Sequence, residues 1–176
     1  METGTKLRLN KTLIIVLGIY QIAGGIFGLS AVFGQSLLYI LGNLLSFAII
    51  IGLFIYSLIC GIYLITYQQP GLGIKLSFIN QYLQLLQFEI LGNGIYYVAG
   101  CYLSLGFSDT PQLHLVSEHS IFRSSCFISF LVDSNEITLS LNIAAIIILF
   151  CLNYLNKQYF PTALDLYTHQ SPPDLH

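Results

Sequence analysis

The sequence predicts an all-α integral membrane protein: a four-helix, tetraspan bundle with one longer extracytoplasmic loop between its third and fourth helices. Three observations lead there. First, 55% of the 176 residues are hydrophobic and only 8% charged, with a mean hydropathy of +0.76, whereas soluble domains carry about 25% charged residues. Second, the apolar residues gather into four runs, each near or beyond the ~20 residues that bridge a bilayer core. Third, Lys and Arg concentrate at the ends that a cytoplasmic N-terminus would place inside.

Residues 1–11 form a cytoplasmic N-terminal segment with Lys6, Arg8 and Lys11. The transmembrane domain is expected over 12–156, its first helix over 12–34. Ala23-Gly24-Gly25 would suit signal cleavage, but the apolar stretch continues through Ile26, Phe27, Leu29 and Val32, so a retained helix is favoured. Gly18, Gln21, Gly25 and Gly28 fall at 3-4-3 spacing, and Gly24-x-x-x-Gly28 lets a second backbone come close.

The second helix is expected over 37–67, in a tight hairpin with the first. Ser57-x-x-x-Gly61 repeats the small-residue pattern there. Gln68-Gln69-Pro70-Gly71 ends it. The third helix, over 76–106, carries the polar residues. Ser77, Asn80, Gln84 and Gln87 form one stripe, and Glu89 and Asn93, four apart, share a second helix face roughly opposite.

An outer loop over 107–136 follows, in which residues 125–132 are too short to span. The fourth helix is expected over 137–156, and 157–176 is a cytoplasmic tail, partly disordered, with Pro161, Pro172 and Pro173. With the N-terminus inside, Lys6, Arg8, Lys11, Lys75 and Lys157 are cytoplasmic and Arg123 alone is outside. That layout places the chain in the plasma membrane with both termini in the cytoplasm. Gly18-Ile19-Tyr20 with Ala23-Gly24 recurs as Gly94-Ile95-Tyr96 with Ala99-Gly100, which raises duplication of a two-helix unit.

Glu89 is the one ionisable side chain inside a predicted crossing, and an intramembrane acid is by default a functional-site hypothesis. The candidate intramembrane polar site is Glu89, Asn93, Asn80, Gln84 and Gln87; Gly18, Gln21, Gly24, Gly25, Gly28, Ser57 and Gly61 are the candidate packing residues. Four cysteines lack any C-x-x-C spacing and read as packing residues, with a Cys101–Cys126 disulfide as the alternative.

His114, His119, Glu118 and Asp109 match no metal-ligand spacing, and no hydrolase, phosphate-loop or dinucleotide motif occurs. No cofactor is called for. A net charge of -2 and pI near 6.0 argue against nucleic-acid binding. The partners expected are the lipid bilayer and other membrane proteins or a second copy of the chain.

The reading that follows is a non-catalytic accessory, assembly or interaction subunit. A small transporter or channel component using Glu89, Asn93 and Gln84 is the alternative, and an interfacial enzyme acting on lipid or quinone through Glu118, His114 and His119 is the second.

Overall fold

The computed structural model describes residues 2–35, 44–66, 70–109, 112–120, 124–129 and 137–159. The chain order is α1 (Glu2–Phe33), α2 (Leu44–Ile65), α3 (Pro70–Leu85), β1 (Leu86–Ile90), β2 (Asn93–Val98), β3 (Tyr102–Ser108), β4 (His114–Ser120), β5 (Ser125–Ser129), β6 (Ile137–Asn142) and α4 (Ile143–Tyr159). The strands form one antiparallel sheet in the order β4-β3-β6-β1-β2-β5.

The sheet overturns the all-α tetraspan fold. The expected third helix stops at Leu85 and the chain enters β1 directly; the expected fourth begins with a strand, Ile137–Asn142, before α4. The 107–136 loop holds the end of β3, all of β4 and β5. The physical reason is periodicity. Leu86-Gln87-Phe88-Glu89-Ile90, Tyr102-Leu103-Ser104-Leu105-Gly106-Phe107 and Ile137-Thr138-Leu139-Ser140-Leu141-Asn142 alternate apolar with polar or small residues, the period-2 pattern of a pleated strand.

Leu91 and Gly92 join β1 to β2 with φ of 49° and 74°, and Ile90 pairs with Asn93 across them. Two consecutive positive φ values in a two-residue loop are the type I′ hairpin pattern.

Among the described residues two helices are long and apolar enough to cross a membrane: Asn10–Phe33, 24 residues within α1, and α2, 22 residues. The 17 residues of α4 make a shorter apolar helix. Small residues bring α1 and α2 together as an antiparallel pair. A Cβ on Gly61 would lie 2.5 Å from the Gly18 carbonyl oxygen, and one on Gly25 2.8 Å from that of Phe54. A Cβ on Gly28 would collide with the Phe54 ring. Gly24 abuts the sheet instead, where a Cβ would be 2.6 Å from the Ala99 carbonyl carbon. The internal echo therefore joins unlike structures, helix at Gly18–Gly24 and strand and turn at Gly94–Gly100, so it does not mark a repeated two-helix unit.

Two apolar clusters hold the fold. Ile14, Leu17, Leu64, Ile74, Leu152 and Leu155 join the four helices, while Val32, Phe47, Ile50, Phe54, Tyr97 and Ala99 fix the sheet to the α1–α2 pair. The gain from these clusters is close van der Waals contact, small for each atom pair and large in sum. Asn142 makes the last strand-to-helix junction: its Oδ1 accepts from the backbone N–H of Ala144 at 3.1 Å and Ala145 at 3.4 Å, capping α4.

Candidate functional site

Polar side chains that would belong on the surface of a soluble protein are buried here in a seam between α1, α2, α3 and β2. Gln21, Ser57, Ser77, Asn80, Gln81 and Gln84 are all fully buried. Asn80 is the hub. Its Nδ2 donates to Gln21 Oε1 at 3.3 Å and to Ser57 Oγ at 3.2 Å, and its Oδ1 lies 3.1 Å from the Tyr97 hydroxyl. That hydroxyl also lies 3.0 Å from the Leu53 carbonyl, so one proton serves two acceptors. Ser57 Oγ donates to the Gln21 carbonyl at 3.0 Å and Ser77 Oγ to Gln21 Oε1 at 3.4 Å.

Gln84 Oε1 accepts from the Ala99 N–H at 3.0 Å, tying α3 to the end of β2. Beside it Ser124 Oγ donates to the Gly24 carbonyl at 2.7 Å and accepts from the Gly100 N–H at 3.1 Å. The Tyr20 hydroxyl accepts from the Cys101 N–H at 3.2 Å. The seam is not closed: Gln21 Nε2, Gln84 Nε2 and both amide atoms of Gln81 are buried without a partner among the described residues. Each stranded group costs about 1–3 kcal/mol unless something completes it.

The sheet divides its side chains by parity. One face near β2 and β5 packs on the helix pair through Tyr97, whose ring centroid is 5.6 Å from that of Phe54, and through Cys126 and Ile128. Farther out the same face is bare: Leu86, Ile90, Ile95, Leu103, Leu105, Phe107, Leu115, Ile137, Leu139 and Leu141 are 40–65% exposed. Registers Phe107↔Leu115, Leu105↔Leu141 and Phe88↔Leu139 place them on one side.

The opposite face is polar. Gln87 pairs with Ser140 and Glu89 with Thr138, and Ser140 Oγ donates to Gln87 Oε1 at 3.2 Å. Ser104 Oγ donates to the Tyr102 hydroxyl at 2.8 Å, which donates to Glu118 Oε2 at 3.2 Å. Burial holds the Tyr102 hydroxyl well above its ordinary pKa, so it stays a donor. Tyr96 and Tyr102 meet edge to face at 5.5 Å.

Of the predicted polar site, Asn80 and Gln84 enter the seam, and Gln87 and Glu89 move to the polar sheet face. Asn93 is separated from Glu89. It pairs with Ile90 across the hairpin, on the other side of the sheet, and its Nδ2 donates to the Leu91 carbonyl at 3.3 Å. Glu89 and Asn93 thus share no helix face. Gln21 and Ser57, taken as packing residues, are members of the hydrogen-bonded seam.

Cys101 and Cys126 are both free thiols. Cys126 lines a cavity of about 280 Å³ between β5 and the α1–α2 pair, and burial pushes its thiol up to about 12. A thiol held protonated is a poor nucleophile. Sequence reasoning did not single out Tyr97, Tyr102, Ser124 or Ser140. The signal for Tyr97, Tyr102 and Ser140 was the strand alternation, which turns every second residue to one face; Ser124 lies just before β5 and carried no such signal.

Among the described residues no three His, Cys, Asp or Glu side chains converge as a metal site. The arrangement can bind and orient hydrogen-bonding groups and present an apolar face. Comparison with family models, curated proteins and solved structures finds no match for this chain.

Proposed function

We propose that this chain is a non-catalytic, membrane-anchored interaction protein, an accessory or assembly subunit that docks another integral membrane protein on the apolar face of its sheet. In this reading the α1–α2 pair sits in a bilayer, with Lys11, Lys75 and Lys157 on the cytoplasmic side. The observation that carries the reading is the bare face from Leu86 to Leu141. Ten large apolar side chains near half exposure amount to on the order of 800 Å², the share of one partner in a standard interface and above the largest patch of an ordinary monomer.

A protein partner is favoured over lipid by the sheet edges. Hydrocarbon leaves open edges unsatisfied, and β4 is such an edge, bearing His114, Ser117, Glu118 and His119. The surface that fits is apolar and uncharged, and a membrane protein offers one beside the exposed apolar side chains that α1 and α2 also carry.

The test places a photo-crosslinking side chain at Leu105 or Leu139 in intact membranes, followed by mass spectrometry of the adducts. Adducts with one distinct membrane protein support the reading. Adducts with lipid alone, or with this chain alone, refute the accessory role.

A second reading has one observation in its favour. The partnerless amides of Gln21, Gln81 and Gln84 suit a polar passage for a small solute. It requires that Gln81→Leu abolish flux in reconstituted vesicles while the protein stays folded.

A further inference from the structure

The polar face of the sheet holds two neighbouring cavities that share Tyr96. One, of about 180 Å³, is lined by residues 87–89 of β1 with Tyr96, Phe127, Thr138 and Ser140. The other, about 430 Å³, is bordered by Tyr102 and Glu118. Gln87 is 98% buried, and its Oε1 is taken by Ser140 while its Nε2 has no partner. Glu89, two residues on along the same face, is half-buried, and among the described residues nothing pairs with its carboxylate. Its cross-strand neighbours are Thr138 and Gly94, and the glycine contributes no side chain to fill the space above it.

A free amide donor and a free carboxylate acceptor in one cavity ask for a ligand that both accepts and donates hydrogen bonds over a short distance. Hydroxyl groups on adjacent carbons do both. The two aromatic side chains, Tyr96 and Phe127, pair across β2 and β5 and offer flat apolar surface for the C–H face of a ring. We propose that this face of the sheet binds a pyranose sugar, with Glu89 accepting from two neighbouring hydroxyls, the buried Gln87 amide turning outward to donate its unpartnered Nε2 to a third oxygen, and Tyr96 and Phe127 bounding the ring. A free sugar and the head of a glycolipid carry the same chemistry.

Ligand-detected saturation-transfer NMR on the full chain in nanodiscs tests this with methyl glycosides of glucose, galactose, mannose and N-acetylglucosamine, with glucosylceramide and galactosylceramide in the disc as a separate arm, and with tetramethylammonium as a cationic probe. The expected result is binding of at least one sugar, weakened tenfold or more by Glu89→Ala and by Tyr96→Ala. Glu89→Gln, which keeps a carbonyl acceptor, weakens it less. Gly52→Ala, on α2 with nothing within 4 Å of the added Cβ, leaves it unchanged. Binding confined to the glycolipid arm supports the site and identifies its source. Circular dichroism of each variant establishes that it is folded, and Thr138→Val, a near-isosteric change at the cavity wall, replaces any variant that is not. Absence of binding for every sugar in both arms, binding that ignores Glu89 and Tyr96, or binding of tetramethylammonium alone overturns the proposal.

Discussion

Replacing Asn80 with alanine removes a side chain that reaches three elements at once. Its amide bonds Gln21 on α1, Ser57 on α2 and Tyr97 on β2, at 3.3, 3.2 and 3.1 Å, with the residue fully buried. No partner is left stranded. Gln21 Oε1 keeps Ser77, Ser57 keeps the Gln21 carbonyl, and Tyr97 keeps the Leu53 carbonyl. The loss is therefore three net hydrogen bonds at about 1 kcal/mol each, plus a small cavity, or about 3–4 kcal/mol.

Tyr97→Phe removes the hydroxyl and strands the buried Asn80 Oδ1, and costs about 1–3 kcal/mol. Because Asn80 and Tyr97 share a bond, the double variant loses less than the sum, with a coupling of about 1 kcal/mol. Urea unfolding in mild detergent, followed by far-ultraviolet circular dichroism, measures all four corners of the cycle. Additivity within ~0.3 kcal/mol would refute the shared bond, and a loss below ~1 kcal/mol for Asn80→Ala would refute its role as hub.

Further outcomes follow from single positions. Gly24→Ala drives a Cβ to 2.6 Å from the Ala99 backbone and is expected to destabilise by about 1–3 kcal/mol, while Gly52→Ala, with nothing within 4 Å, is expected to stabilise α2 by about 0.5–1 kcal/mol; paired thermal melts compare them. Leu91 holds φ at 49° in the hairpin turn, so Leu91→Asn is expected to raise stability by about 0.5–1 kcal/mol, and an unchanged or lower melting temperature counts against the turn strain. Burial of Cys126 raises its pKa from 9.0 to about 12, so the folded state binds the proton more tightly than the unfolded chain. Its contribution is full below pH 9 and is lost as pH rises toward 12. Cys126→Ser should flatten that alkaline decline in urea midpoints, and alkylation of Cys126 at pH 8 should be far slower in folded protein than in urea.

The helix pair was legible because its signal is local. A run such as Leu44–Ile65 without charge, preceded by a helix with glycine at 3-4-3 spacing, specifies length, apolarity and close approach at once. The sheet was not, because high overall hydropathy masks period 2. In Leu86–Val98 the apolar residues are dense enough that a window long enough for a membrane span averages over the alternation. The local cue was Gly92-Asn93-Gly94, turn chemistry set between alternating segments. The 3-4-3 stripe Ser77, Asn80, Gln84 and Gln87 was visible and three of its four members line the seam, but Gln87 lies beyond the end of α3, where the period changes from 3.6 to 2.

That change of period determines where Glu89 goes. Continued as helix, α3 would carry Glu89 and Asn93 together along one side, and an uncompensated carboxylate would enter whatever medium surrounds the apolar run. As strand, the residues from 86 on divide strictly by parity: Leu86, Phe88 and Ile90 join the apolar face, and Gln87 and Glu89 join Thr138 and Ser140 on the polar one. An acid in a strongly apolar stretch is therefore accommodated without a buried counter-ion, through a backbone period that turns it away from its neighbours. The same division leaves the β1, β3 and β6 part of the other face uniformly apolar. Inserting one residue between Leu85 and Leu86 would shift β1 by one position against β6 and exchange the two sets. It would put Glu89 on the face that now carries Leu105 and Leu139, and the sheet should then be lost, read as reduced strand signal in circular dichroism while the α1–α2 pair persists. Retention of the full strand signal would show that parity does not specify this sheet.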